Sequence, residues 1–278
     1  MLYGYGILNN HVPTLKATAM RGGSDADALA FISAASITDS TQKTAINTLV
    51  TDLKGYGIWT KMKAIYPVVG GTSSAHKFNL KDPRDLNAAF RLQFIGGMTH
   101  SSSGMIPNGT DAYCNTFLTP SSILSDNNTH ISYYSRSNNI DLVADMGCIV
   151  SAPNRLSMDI KYYENFSSDQ YNYSTGRVTT TNTDGRGLFV GSRTNSSTHK
   201  AFRNGSQIGT TNTGASNGLS NVNGNIYICT ANRTTEAIPG FSTKVCAFAS
   251  VGDGLNDTES SNLYIAVQKF QTTLGRNV

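Results

Sequence analysis

Aromatic side chains crowd into one short polar stretch of the chain, "KYYENFSSDQYNYS" at residues 161–174. Exposed rings can stack on the faces of sugars, and the neighbouring hydroxyl and amide groups can hydrogen-bond to sugar hydroxyls. In a strand, alternate side chains point to opposite faces, so about half of these rings should face a protein core or another subunit. The consecutive pair Tyr133 and Tyr134 should add one further outward ring. The candidate glycan-binding residues are Tyr134, Tyr162, Tyr163, Phe166, Tyr171 and Tyr173.

Carboxylate pairs are the second group that could do chemistry. Retaining glycosidases place two carboxyl groups about 5 Å apart, one as nucleophile and one as acid and base. The chain contains three glutamates, Glu164, Glu236 and Glu259, and none lies in an E-x-D-x-E strand pattern. Asp141 and Asp145 are spaced so that a strand would place both on one face, which we interpret as solvated. The sequence therefore predicts no catalytic residues and a protein that is not an enzyme.

An acidic cluster precedes the last segment of the chain, and it has two interpretations. Asp253, Asn256, Asp257 and Glu259 could supply oxygen ligands to a cation, although their spacing does not match an EF-hand loop. Alternatively, Asn256 or Asp257 is a helix N-cap, with Glu259 completing a capping box, and the acids favour the positive helix end. Capping is the favoured interpretation. Asp253 and Asp257 stay as weak metal candidates.

Composition excludes several classes of function. Charged residues make up 14% of the chain and the net charge of +4 comes from scattered Lys and Arg, which argues against nucleic acid as a partner. No apolar run reaches the roughly 18 residues of a membrane span, and the first residues do not resemble a signal peptide. The four cysteines have no zinc-site spacing, so we predict buried free thiols. They are Cys114, Cys148, Cys229 and Cys246.

The predicted secondary structure that would position these groups changes from helices to strands along the chain. Residues 1–23 suggest one strand or an extended arm, and residues 24–66 suggest two or three short helices. Ser24 or Asp25 would cap the first helix, and Asp39 with Gln42 the second, which would end before Gly55. The third would carry Trp59, Met62 and Ile65 and stop at Pro67. Such short helices cannot bury their apolar faces alone, so they must pack on a β domain or on another protein.

From about residue 87 the hydrophobic period changes to two, which indicates strands. "RLSMDIKYY" puts Leu156, Met158 and Ile160 on one face, and Asn204-Gly205 between two strand arms signals a hairpin. The chain closes with an amphipathic helix. Its apolar stripe is Leu263, Val267, Phe270 and Leu274, with Gly275 as the stop.

Two segments together resemble a known family. "AFRNGSQIG" at 201–209 resembles the hairpin of laminin-G-like, concanavalin A-like jelly-roll domains. "FASVGDGLNDTESSNLY" at 248–264 is similar to the closing strand and helix of that family. The resemblance covers roughly residues 87–278. It implies a mainly β fold, a concanavalin A-like β-sandwich with a short N-terminal helical segment and a C-terminal helix packed on the sandwich. It also implies that a cation bound at the rim of the sandwich would be Ca²⁺.

The whole chain is similar to a type of bacteriophage virion protein in which a short helical segment precedes such a jelly roll. The resemblance implies residues 1–85 as an attachment and oligomerisation segment, and residues 86–278 as the jelly-roll domain. It implies a tail fibre, baseplate or head-decoration protein, made in the host cytoplasm. Its partners would be other virion proteins, further copies of itself and host surface glycans. The alternative is a secreted or surface lectin that binds glycans as a monomer, and a polysaccharide hydrolase is a third hypothesis.

Overall fold

A computed structural model describes residues 23–151 and 153–278. The strand or arm expected in residues 1–23 lies almost entirely outside these residues. Within the described ranges, no helix is long and apolar enough to cross a membrane.

The elements are mostly strands. The helices are α1 (Ala26–Ala34), α2 (Ser40–Gly55), α3 (Ser73–His76), α4 (Pro120–Ile123) and α5 (Asp257–Thr273). The strands are β1 (Met62–Tyr66), β2 (Gln93–Ile95), β3 (Thr99–Ser101), β4 (Gly104–Ile106), β5 (Tyr113–Asn115), β6 (Thr129–Ser135), β7 (Met146–Ile149), β8 (Arg155–Tyr162), β9 (Asn165–Gln170), β10 (Val178–Thr181), β11 (Gly187–Asn195), β12 (Thr198–Arg203), β13 (Ser206–Asn212), β14 (Tyr227–Ile228), β15 (Thr230–Arg233) and β16 (Cys246–Gly252).

The strands form two sheets of eight. The first, which we call the helix-covered sheet, has the order β13-β12-β11-β6-β16-β4-β3, with β1 also paired to β16. The second, which we call the open sheet, has the order β10-β9-β8-β7-β14-β5-β2, with β15 also paired to β7. Pairing is antiparallel except between β15 and β7.

Alternation along the strands divides the apolar side chains between two cores. Tyr133 and Phe189 of the helix-covered sheet pack toward the open sheet, where they meet the predicted stripe of Leu156, Met158 and Ile160. Tyr134, Leu188 and Phe248 of the same sheet point the other way and pack under α2 and α5. The central strands β6, β11 and β16 of the helix-covered sheet are therefore buried on both faces, whereas its edge strand β13 is largely exposed. The open sheet has an apolar core on one face only, and its outer face is polar, with exposed side chains beside buried ones such as Asp169.

The N-terminal helices form largely as predicted. The side chains of Asp25 and Asp39 cap α1 and α2, and the Asp39 carboxylate accepts the Gln42 N–H. Gly55 is still helical, so the prediction that α2 ends before it was wrong. Gly57, with φ of +72°, takes the left-handed position after the helix, which costs glycine little.

The predicted third helix was wrong. Trp59–Lys61 form a single 3₁₀ turn, and Met62–Tyr66 form strand β1, which pairs with β16 of the helix-covered sheet. Pairing satisfies the backbone groups of this segment, and it outweighs the local helical pattern. The helices preceding β1 pack on the same sheet through α5, since α1, α2 and α5 share one core. Of the two alternatives for this segment, the structure shows packing on the β domain.

The two strongest local signals are confirmed. Asn204 and Gly205 both have positive φ, +50° and +77°, and join β12 to β13 in a tight hairpin. Helix α5 begins with a complete capping box, because Asn256 accepts the Glu259 N–H and Glu259 accepts the Asn256 N–H. Leu263, Val267 and Phe270 are buried beneath it, and Gly275 follows with φ of +65°.

Leu263→Asp is expected to destabilise the protein, because it places a carboxylate among the apolar side chains under α5. The loss should be about 3 kcal/mol or more in the free energy of unfolding measured by urea titration. Ile265→Asp is the matched control on the same helix, since Ile265 is 46% exposed, and it should cost less than about 1 kcal/mol. An unchanged melting temperature in Leu263→Asp would contradict this placement of the helix.

Candidate functional site

The exposed face of the open sheet carries a groove of about 460 Å³, which lies in the range of roughly 300–1,000 Å³ typical of small-molecule sites. The groove exists because the inward residues of β8 and β9 build the core, leaving their alternate residues outside. We call it the outer groove. Its lining includes Leu142, Arg155, Asp159, Tyr162, Ser167, Tyr173, Arg177, Thr179, Ala231 and Arg233.

An ionic network forms the centre of the outer groove. Arg177 Nη2 lies 2.8 Å from Asp159 Oδ2 and 3.0 Å from Asp169 Oδ2, so it bridges carboxylates on neighbouring strands. Ser157 Oγ donates to Asp169 Oδ2 at 3.2 Å, and Arg155 Nη1 lies 3.9 Å from the same oxygen. These mutual contacts fix the arginine side chains in place. A fixed arginine can donate to a ligand with little loss of conformational entropy.

Tyr173 is held between two of these cations. The guanidinium carbons of Arg155 and Arg177 lie 4.1 Å and 4.8 Å from the centre of its ring. Cation–π attraction orients the ring, which is still 38% exposed. Tyr162, 40% exposed, lines the same groove at the end of β8. The groove thus combines two oriented aromatic rings with convergent hydrogen-bond donors.

Three of the six predicted glycan-binding residues are buried, so their assignment to an exposed surface was wrong. Phe166 stacks on Phe189 in the core between the sheets, and the Tyr171 hydroxyl lies 3.0 Å from Thr129 Oγ1. Tyr134 packs under α5, where its hydroxyl donates to Gln268 Oε1. The expectation that either Tyr133 or Tyr134 faces outward failed because helices cover the second face of their sheet. Tyr163 is exposed but does not line the groove, and its ring meets Tyr162 edge-on.

The weak metal candidates at the start of α5 are engaged in ion pairs. Asp253 Oδ1 lies 3.2 Å from Lys63 Nζ, and Asp257 Oδ1 lies 2.7 Å from Lys200 Nζ. Glu259, besides its capping role, pairs with Lys61. Across residues 23–151 and 153–278, no group of three or more His, Cys, Asp or Glu side chains is arranged to hold a metal ion.

The side chains of Asp141 and Asp145 do lie close together, as predicted from their spacing, but they do not lie on a solvated face. Both are buried at the edge of the outer groove, and both lie beside the Lys244 ammonium. Their interpretation as solvated was wrong because the partner lysine comes from a distant part of the chain. The four cysteines are free and buried, as predicted.

One further sequence motif bears on the hydrolase hypothesis. Gly214-Ala215-Ser216-Asn217-Gly218 has the letters of a nucleophile elbow, G-x-S-x-G. That motif requires the serine at a sharp turn from a strand into a helix. Here the segment is a loop between β13 and a single 3₁₀ turn at Leu219–Asn221, and Ser216 Oγ accepts the Gly218 N–H. The arrangement is that of a loop and offers no elbow geometry.

Solved structures that align with this chain include two forms of a sialidase. A mutant Trypanosoma rangeli sialidase displaying trans-sialidase activity aligns with a TM-score of 0.51 at 9% identity, covering 81% of this chain and 39% of that one. Trypanosoma rangeli sialidase in complex with sialic acid gives 0.51 at 7% identity, covering 79% of this chain and 38% of that one. The fold is a β-sandwich. The chain thus spans about two fifths of the sialidases' length.

A third similar structure is domain 4 of AbnA, an extracellular arabinanase from Geobacillus stearothermophilus, in complex with arabinotriose. It aligns with a TM-score of 0.46 at 10% identity, covering 73% of this chain and 98% of that one. No protein-family model and no curated protein sequence matches the chain. At these identities the structural likeness shows the fold alone, which confirms the predicted sandwich with its C-terminal helix.

The buried charges of the outer groove should make the free energy of unfolding depend on pH. Burial raises the pKa of Asp159 to about 6, against the opposing charge of Arg177. Since an unfolded aspartate titrates near pH 4, the native state binds this proton more tightly. The stabilisation that comes from binding this proton is fully present below about pH 4 and is lost as the pH rises through about 6.

Asp159→Asn removes this titration. From about pH 4 to pH 7, we expect the stability of wild type relative to the variant to fall by roughly 2 to 3 kcal/mol, measured by urea unfolding. Asp184→Asn is the control, because hydrogen bonding to Arg186 lowers the pKa of Asp184 to about 2. The stability that this carboxylate contributes is lost only below about pH 4, so its difference from wild type should stay nearly constant from pH 4 to pH 7. A pH-independent difference between wild type and Asp159→Asn would contradict the raised pKa.

Proposed function

We propose that the protein is a non-enzymatic structural component of a bacteriophage particle whose β-sandwich binds host surface glycans in the outer groove. The observation that carries the binding role is Tyr173, an exposed ring oriented by Arg155 and Arg177 within a groove of ligand size. The particle role rests on the resemblance of the whole sequence to virion proteins.

The chemistry of the outer groove suits a sugar. A sugar ring presents an apolar C–H face, which packs on an aromatic ring, and a rim of hydroxyl groups that accept and donate hydrogen bonds. Tyr162 and Tyr173 offer the rings, while Thr179 and Ser167 offer hydroxyls from adjacent strands. That a β-sandwich of this kind occurs in a sialidase agrees with this choice, although a shared fold does not determine a ligand.

The way in which the carboxylates of the groove are paired supports the proposal of a non-enzymatic role. Asp159 and Asp169 both bind the same Arg177 nitrogen, and the Asp169 side chain is fully buried. A glycosidase needs one carboxyl group free to protonate the leaving oxygen and a second free to attack or to activate water. Neither aspartate is free in that sense.

Glycan binding is tested on an array of bacterial surface polysaccharides and other oligosaccharides, with and without Ca²⁺. We expect the protein to bind a defined subset, and Tyr173→Ala and Tyr162→Ala each to weaken binding at least about tenfold, the equivalent of 1.4 kcal/mol. Tyr56→Ala is the matched control, because Tyr56 is 37% exposed but follows α2, away from the groove. Binding that all three variants retain would place the site elsewhere.

The same ligands test the absence of catalysis. Bound polysaccharides incubated with the protein should release no new reducing ends. Release that depends on Asp159 would instead support the hydrolase hypothesis.

The particle role predicts self-association of the full chain. Size-exclusion chromatography with light scattering should give a mass that is a multiple of the 29.8 kDa chain. A monomer at every concentration, together with glycan binding, would favour the monomeric lectin instead.

A further inference from the structure

Lys244 lies in a buried cluster whose members come from parts of the chain far apart in sequence. Its Nζ is 2.8 Å from Asp141 Oδ2 and 3.3 Å from Asp145 Oδ1. The side chains of Lys244 and Asp145 are fully buried, and that of Asp141 almost so. Burying such ions is costly, and apolar replacements are often as stable, so stability alone does not explain the cluster.

Ser242 connects the two carboxyl groups. Its Oγ lies 2.6 Å from Asp145 Oδ1 and 3.0 Å from Asp141 Oδ2. A hydroxyl has one hydrogen and cannot donate to two carboxylates at once. A proton on Asp145 resolves this, because Asp145 then donates to Ser242 and Ser242 donates to Asp141. Burial also raises the pKa of Asp145, which favours the protonated form.

Thr243 holds the carboxyl group of Asp141 in a fixed orientation. Its N–H donates to Asp141 Oδ2 at 2.9 Å, and its Oγ1 donates to Oδ1 at 2.8 Å. The Asn139 amide donates to Thr243 Oγ1 at 2.8 Å, which leaves the threonine hydrogen for Asp141. Fixed donors on a carboxyl oxygen stabilise the negative charge that develops there when a nucleophile adds.

An amine, an acceptor carboxyl, a proton-carrying acid and oxyanion donors thus meet in one site closed to solvent. From this geometry we propose that Lys244 and Asp141 are joined by an intramolecular isopeptide bond, with Asp145 as the catalytic residue that transfers the proton. The proposal is independent of glycan binding.

The step is a condensation that needs no co-reactant. The Lys244 ammonium first gives one proton to Asp141 Oδ2. The resulting amine attacks Asp141 Cγ, forming the C–N bond, while the charge that develops on Oδ1 is held by Thr243. Asp145 then passes its proton through Ser242 to Oδ2 and takes a proton from Nζ. The Cγ–Oδ2 bond breaks, water leaves, and Asp145 returns to its protonated state.

The deciding measurement is the intact mass of the denatured wild-type chain. We expect a mass one water molecule below that of the sequence, and after proteolysis one linked peptide pair containing Asp141 and Lys244. A full sequence mass, with the two peptides recovered separately, would overturn the proposal without recourse to any variant.

Variants assign the roles. Lys244→Met and Asp141→Ala should each restore the full mass. Asp145→Asn, with a wild-type circular dichroism spectrum, should form the bond at least tenfold more slowly. The control Lys54→Met, which removes a surface ion pair with Asp25, should keep the water deficit. A deficit that persists in Asp141→Ala would also overturn the assignment.

Discussion

Burial of the central strands of the helix-covered sheet on both of their faces is the constraint on which the rest of the structure depends. Because Tyr133 and Tyr134 are consecutive, they point to opposite faces, and each finds an apolar core. One core needs α2 and α5, and the other needs the open sheet. The N-terminal helices are therefore part of the sandwich assembly, and β1 joins them to it by pairing with β16. On the outer face of the open sheet, the groove with the rings of Tyr162 and Tyr173 stays accessible.

The polar groups of the molecule are arranged around the same constraint. On the outer face of the open sheet, the buried carboxylates of Asp159 and Asp169 share Arg177, whose side chain stays partly exposed. Where the groove edge closes over, the ions become fully buried, and Lys244 replaces arginine as the partner of Asp141 and Asp145. The first arrangement fixes Arg155 and Arg177 against the exposed ring of Tyr173. The second buries the amino group of Lys244 against the carboxyl groups of Asp141 and Asp145, away from bulk solvent.

Local signals in the sequence were sufficient where a few neighbouring residues decide the outcome. The Asn256–Glu259 capping box, the Asn204-Gly205 turn and the alternating stripe of β8 belong to this class. Features that depend on contacts between residues far apart in the sequence were missed. Strand β1 depends on β16, the burial of Tyr134 depends on α5, and the fate of Asp141 depends on Lys244. Arg155 and Asp159 could have been found, because they alternate with the predicted core residues of β8, whereas nothing local marks Arg177.

The two-residue period of β8 has a consequence for how such a protein can change over time. Residues that build the core and residues that line the outer groove alternate along the same strand, so they occupy separate sets of positions. The neighbouring strands repeat this alternation. Substitutions at Arg155 of β8, Ser167 of β9 or Thr179 of β10 alter the lining of the groove, while the adjacent core residues Leu156, Phe166 and Val178 are left untouched. Selection acting on the groove can therefore change one set of side chains while the other set is retained.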